Sequence, residues 1–151
     1  MNKLSLILFA ALILTGAFAA HSFASPQNQS RSQDVQSQED RTIALGVVRT
    51  INTAEVSYLY RNDPETTQPR HRYAMWSDLY ASGLLEGVKQ SAPDVWSLIS
   101  ADGVRGYKLA LIVSPDGTSY ELALHDERPQ SDGFSVFSDQ TGLIYTGAPL
   151  Q

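Results

Sequence analysis

Five apolar residues, Ile43, Val47, Ile51, Ala54 and Tyr58, recur at steps of four and three, with Ala44, Val48 and Leu59 widening the stripe. That is the period of a helix with one face against a core, and it predicts a helix from Glu39 to Tyr60. Ser37, three residues before Asp40, reads as its N-cap, and Asn62-Asp63-Pro64 as its end. Gly46 costs about 1 kcal/mol relative to Ala in a helix interior, which points to a neighbouring backbone passing close by. A polar loop with two prolines covers 61–74. Ser77 then caps a short helix through Tyr80, Gly83 supplies a left-handed terminator, and Leu84 to Val88 add one turn. Ala92-Pro93-Asp94 opens a further helix carrying Val95, Trp96, Leu98 and Ile99 as far as Asp102-Gly103.

At Tyr107 the period changes to two. Tyr107, Leu109, Leu111 and Val113 alternate with Lys108, Ala110, Ile112 and Ser114, and Tyr120, Leu122 and Leu124 answer across the turn Pro115-Asp116-Gly117. Phe134 to Ser138 and Leu143 to Thr146 make two further strands around the tight turn Asp139-Gln140-Thr141-Gly142. Short connections between consecutive strands imply antiparallel neighbours. The expected fold class is α+β: one long N-terminal helix packed on a four-stranded antiparallel sheet, with short helices in the connection.

The residues ahead of the helix change the picture. Lys3, an apolar run from Leu4 to Ala20 and the ending Ser22-Phe23-Ala24 have the layout of a secretory signal peptide over 1–24. Residues 25–38, SPQNQSRSQDVQSQ, are Gln and Ser with one aliphatic side chain, and read as a flexible linker. The domain proper is then 39–147, with 148–151 a tail. Without Lys3, ten of the eleven basic residues remain against sixteen acidic ones. An acidic chain lacks the clustered cations that phosphate neutralisation requires, so nucleic acid is excluded as a partner. With no cysteine there is no disulfide, thiol nucleophile or Cys zinc site. The expected product is exported, periplasmic or extracellular, with no membrane span after cleavage.

Catalytic motifs are absent. There is no Gly-x-Ser-x-Gly elbow, His-Glu-x-x-His helix, Walker loop or EF-hand loop. Gly103-Val104-Arg105-Gly106 has the spacing of a KH-type loop, but in an acidic chain it reads as a turn into a strand. His71 stands between Arg70 and Arg72, which disfavour both its protonation and a divalent metal. His125-Asp126-Glu127 offers a base beside carboxylates, yet neighbours on a strand point to opposite faces. No catalytic residue and no cofactor is assigned. The aromatics Tyr60, Tyr73, Trp76 and Trp96 surround the loop after the long helix and form a candidate binding face.

Four segments in register carry a resemblance. Val48-Arg49-Thr50-Ile51-Asn52-Thr53-Ala54-Glu55, Leu79-Tyr80-Ala81-Ser82-Gly83-Leu84-Leu85, Gly106-Tyr107-Lys108-Leu109 and Phe137-Ser138-Asp139-Gln140-Thr141-Gly142-Leu143-Ile144 resemble the globular domain of type IV pilin-like proteins of the acidobacterial kind, related to type II secretion pseudopilins. The match spans 40–147, roughly 70% of the chain. Pilins are processed after a Gly and carry a Glu five residues further on; here the Gly in the apolar run is Gly16, and the fifth residue after it is His21. The connection from Gln90 to Arg105 is also longer. The resemblance implies a pilin-like head without the part that builds a filament. It also makes Asp132, Asp139 and Thr141 candidate calcium ligands, since some pseudopilins bind calcium in C-terminal loops and oxygen ligands suit that ion. Asp139-Gln140-Thr141-Gly142 has a sufficient reading as a turn.

The leading expectation is an exported, non-enzymatic, pilin-like module that binds an envelope or secretion-system protein. The alternatives are a small periplasmic ligand- or calcium-binding protein and a hydrolase of unrecognised type. An exposed apolar patch favours the first, a deep pocket with convergent polar groups the second, and a base within reach of a nucleophile the third.

Overall fold

The computed structural model describes residues 26–63, 70–129, 131 and 133–147. Residues 1–25, which include the segment read as a signal peptide, residues 64–69 of the polar loop, Gln130, Asp132 and the tail 148–151 lie outside the described residues. Among those described, no helix is long and apolar enough to cross a membrane.

Helix α1 runs from Pro26 to Tyr60 and is followed by α2 (Trp76–Ala81), a 3-10 turn (Leu84–Val88) and α3 (Pro93–Trp96). A two-residue hairpin, β1 (Ile99–Ser100) with β2 (Gly103–Val104), leads into a meander of β3 (Tyr107–Val113), β4 (Tyr120–Asp126), β5 (Ser135–Asp139) and β6 (Ile144–Gly147). All neighbours in the meander are antiparallel, and the order in the sheet is the order in the chain. The α+β class read from periodicity is the class observed.

Several boundaries differ from the sequence reading. The segment 26–38, read as a linker, is helical from Pro26 onward, so Ser37 lies inside α1 rather than capping it. Extending a formed helix adds one hydrogen bond per residue with no new nucleus, and Pro at the first position loses no bond there. The amide of Gln36 donates to Asp40 Oδ1 at 3.2 Å, one turn on. Ser77 is likewise interior to α2, whose start is set by extended backbone at Met75 with no side-chain cap. The helix opened by Pro93 stops at Trp96, and Ile99 pairs with Val104 as a strand instead. A residue can satisfy its backbone in either way, and burial of Ile99 and Val104 favours the hairpin.

The core lies between α1 and the sheet and continues between α1 and the short helices. Ala44, Val47, Val48, Ile51, Ala54 and Tyr58 are buried, whereas Ile43, placed in the core from its spacing, is half-buried. Tyr120, Leu122, Leu124 and Val136 meet them from the sheet. Because α1 crosses β4 and β5, Leu109 and Leu111 on the edge strand β3 are only half-buried, although they share the inner face. Gly46 does mark a close approach, made by a side chain: a Cβ there would stand 2.8 Å from Val95 Cγ2 of α3.

Candidate functional site

Two polar networks stitch α1 to the sheet. In the first, the Tyr120 hydroxyl donates to Asn52 Oδ1 at 2.9 Å, the Asn52 amide donates to Ser138 Oγ at 2.7 Å, and that hydroxyl donates to the Leu143 carbonyl at 2.8 Å. One turn along, Glu55 is fully buried; its Oε2 accepts the Ala74 N–H at 2.8 Å and its Oε1 has no hydrogen bond. Burial raises its carboxyl to about 7 against the pull of that N–H.

In the second network Arg128 binds three groups. Its Nε donates to Asp126 Oδ1 at 2.9 Å, one terminal nitrogen to Asp40 Oδ1 at 2.8 Å, and the other to Asp126 Oδ2 and to the Tyr107 hydroxyl at 3.1 Å. Burial pushes the Asp126 carboxyl up, but the bonds and charge of Arg128, with the Ser131 hydroxyl, outweigh it and hold the group below the usual range. Burial moves the Tyr107 hydroxyl up to about 12. Both networks are internal fastenings.

Tyr60 is exposed at the end of α1. Tyr73 packs edge-to-face on Tyr120, with ring centres 4.8 Å apart. Trp76 donates from Nε1 to the Ala101 carbonyl at 3.0 Å, and Trp96 lies under the Lys89 ammonium, 5.8 Å away. Tyr73, Trp76 and Trp96 are all half-buried against the core. Asp139 Oδ1 accepts the Thr141 N–H at 2.8 Å and its hydroxyl at 2.5 Å, while Gly142 turns the chain at φ 74°. The Thr141 bonds hold the Asp139 carboxyl below its ordinary value. Asp132 lies outside the described residues, and among those described no cluster of three His, Asp or Glu could hold a metal. His71 is exposed, and His125 and Asp126 do point to opposite faces: Asp126 inward to Arg128, His125 outward with Nδ1 2.8 Å from Ser135 Oγ.

What the sequence reading passed over is the outer face of the meander. The residues that alternate with the core set fall into register as one row across all four strands: Ala110 opposite Ala123, Ala123 opposite Phe137, Phe137 opposite Tyr145. Phe137 and Tyr145 are 45% and 58% exposed, and Ile112 beside the row is 61% exposed. The Phe137 ring leans over Gly147, with Cε2 3.6 Å from the position a Cβ would take there. On one side of the row stand Ile112, Glu121 and Asp139, and on the other Lys108, His125 and Ser135. The signal was present, since Ala110, Ile112 and Ala123 interrupt the polar half of two alternating strands.

An open cleft of about 430 Å³ occupies the other side of β3, between the sheet and the short hairpin. Its walls include Trp76, Asp102, Arg105, Tyr107, Leu109 and Leu111. It exists because α1 packs mainly on β4 and β5 and leaves Leu109 and Leu111 of the edge strand only half-buried.

Compared with known protein families, characterised proteins and solved structures, the chain has no match in any of the three.

Proposed function

We propose that this chain is an exported, non-enzymatic, pilin-like module that binds a protein partner in the cell envelope, and that the outer face of the sheet is its binding surface. The observation that carries the binding role is the row Ala110-Ala123-Phe137-Tyr145, with Ile112 beside it, left open on a sheet whose other face is packed against α1. A contiguous apolar strip rimmed by charge is the composition of an interface centre and its rim. Export rests on the signal-peptide layout of 1–24, and the pilin-like description on the four sequence segments in register.

The test is a photo-crosslinking amino acid placed at Phe137, with Lys89 on the helical side as control, in cells expressing the full chain. A discrete adduct from position 137 and none from position 89 supports the reading. No adduct at 137 removes it.

A second reading, a small-ligand binder, is favoured by the cleft beside β3, where Trp76, Leu109 and Leu111 give an apolar wall and Asp102 and Arg105 offer charge. Ligand-induced shifts of the Trp76 indole resonance, abolished by Leu111→Arg, separate it from the first.

A further inference from the structure

The arrangement of charge on the outer face says what would cover it. The apolar row lies at the centre. One side carries the carboxylates of Glu121 and Asp139 with Ile112; the other carries Lys108, His125 and Ser135, and Gly147 at its end. Leu143, 57% exposed, follows Asp139 around the turn and closes the acidic side. The face is therefore acidic on one flank and basic on the other, with an apolar strip between.

Such a face is complementary to itself. Two copies can meet outer face to outer face about a two-fold axis that lies along the apolar row. That operation keeps each strand opposite its own counterpart and exchanges the flanks. Ala123 then faces Ala123, Phe137 faces Phe137 and Tyr145 faces Tyr145, while Glu121 of one copy faces His125 of the other and Asp139 faces Ser135. The exposed Leu143 comes over Gly147, where no side chain obstructs it. A two-fold along the strands would instead set Glu121 against Asp139, two carboxylates in contact. Like charges oppose that packing, whereas the first sets each carboxylate against a hydrogen-bond donor, the His125 ring N–H or the Ser135 hydroxyl. Aligned packing of two sheets is an ordinary way to cover such faces.

We propose, resting on the reading of this face as a protein-binding surface, that its partner is a second copy of this chain, in an isologous dimer about that axis. His125 adds direction. In the tautomer whose Nδ1 accepts the Ser135 hydroxyl, Nε2 carries its proton outward, as a donor for the Glu121 carboxylate of the second copy. The dimer holds two such contacts, one on each side of the axis.

Sedimentation equilibrium of the full chain, with charge exchange at this pair, tests the proposal. The wild type is expected to dimerise with concentration. Glu121→Lys sets a cation against His125, His125→Glu sets a carboxylate against Glu121, and each is expected to weaken the dimer at least about tenfold. The double variant Glu121→Lys/His125→Glu is expected to recover most of that loss. Circular dichroism melts of the same variants, taken at a concentration too low for the dimer to form and expected to be unchanged because both side chains lie on the outer face, show whether the fold is intact. A monomer at every concentration, or a dimer indifferent to the single variants, overturns the proposal. If the chain is monomeric yet the crosslinker at position 137 captures a different protein, the second copy is wrong and the binding face stands. If that crosslinker captures nothing, the binding face falls as well.

Discussion

Glu55 and Ala74 are joined by a hydrogen bond of 2.8 Å from the Ala74 N–H to a carboxylate oxygen that water does not reach. The bond ties the last third of α1 to the segment that leads into α2, and it places an ionisable group where ionisation is costly. The other oxygen of that carboxyl has no hydrogen bond, which suits the neutral acid better than the carboxylate.

A pH dependence follows from this group. Its folded value of about 7 lies above its ordinary 4.5, so between those limits the folded state holds a proton that the unfolded state has released. The contribution is fully present below pH 4.5 and lost as the pH rises to 7, with a loss of about 3 kcal/mol. Chemical denaturation of the wild type and Glu55→Gln across this range should show the slope in the first and a much flatter line in the second. Equal slopes would assign the dependence to other groups.

Ile51 is fully buried in the middle of α1. Ile51→Ala should cost about 2–4 kcal/mol, read as a lower denaturation midpoint. An unchanged midpoint would take Ile51 out of the core.

Gly46→Ala should destabilise the protein by about 1 kcal/mol, although the same change favours an isolated helix by a similar amount, because the new methyl meets Val95 Cγ2. In a Val95→Ala background the collision is gone, and Gly46→Ala should become neutral or favourable. Additive effects of the two substitutions would contradict the contact.

Arg128→Met leaves the buried Asp126 without its cation and should cost about 3 kcal/mol at neutral pH. The folded carboxyl is depressed, so its stabilising effect is present above the ordinary carboxylate range and lost as the pH falls through its folded value. The difference between wild type and variant, measured by denaturation, should therefore shrink in acid.

Periodicity made most of the fold legible. The 3.6-residue stripe located α1 through Tyr60, alternation located β3 and β4, and the tight turn Asp139-Gln140-Thr141-Gly142 located β5 and β6 to within a residue at each end. Glu55 and Asn52 lay within that stripe, Glu55 four residues after Ile51 and Asn52 four after Val48. A polar residue on a buried face is a network in waiting, and its partners, Ala74, Tyr120 and Ser138, are distant in sequence. The start of α1 was harder, since a polar segment leaves no apolar period to read. The candidate face was hidden for another reason: each strand shows only one or two exposed apolar residues, and the row exists only in the pairing register.

The measurement that tests the binding face most directly is the size of the assembly formed by Phe137→Asp. Phe137 contributes to the outer row and not to the core, so a charge there should lower the thermal midpoint of the monomer only modestly, by the loss of its pairing with Tyr145, while disrupting association. Native size-exclusion chromatography of envelope extracts should place the wild type in a fraction larger than the monomer and the variant at monomer size. Identical elution of the two, with the variant folded, would contradict the account.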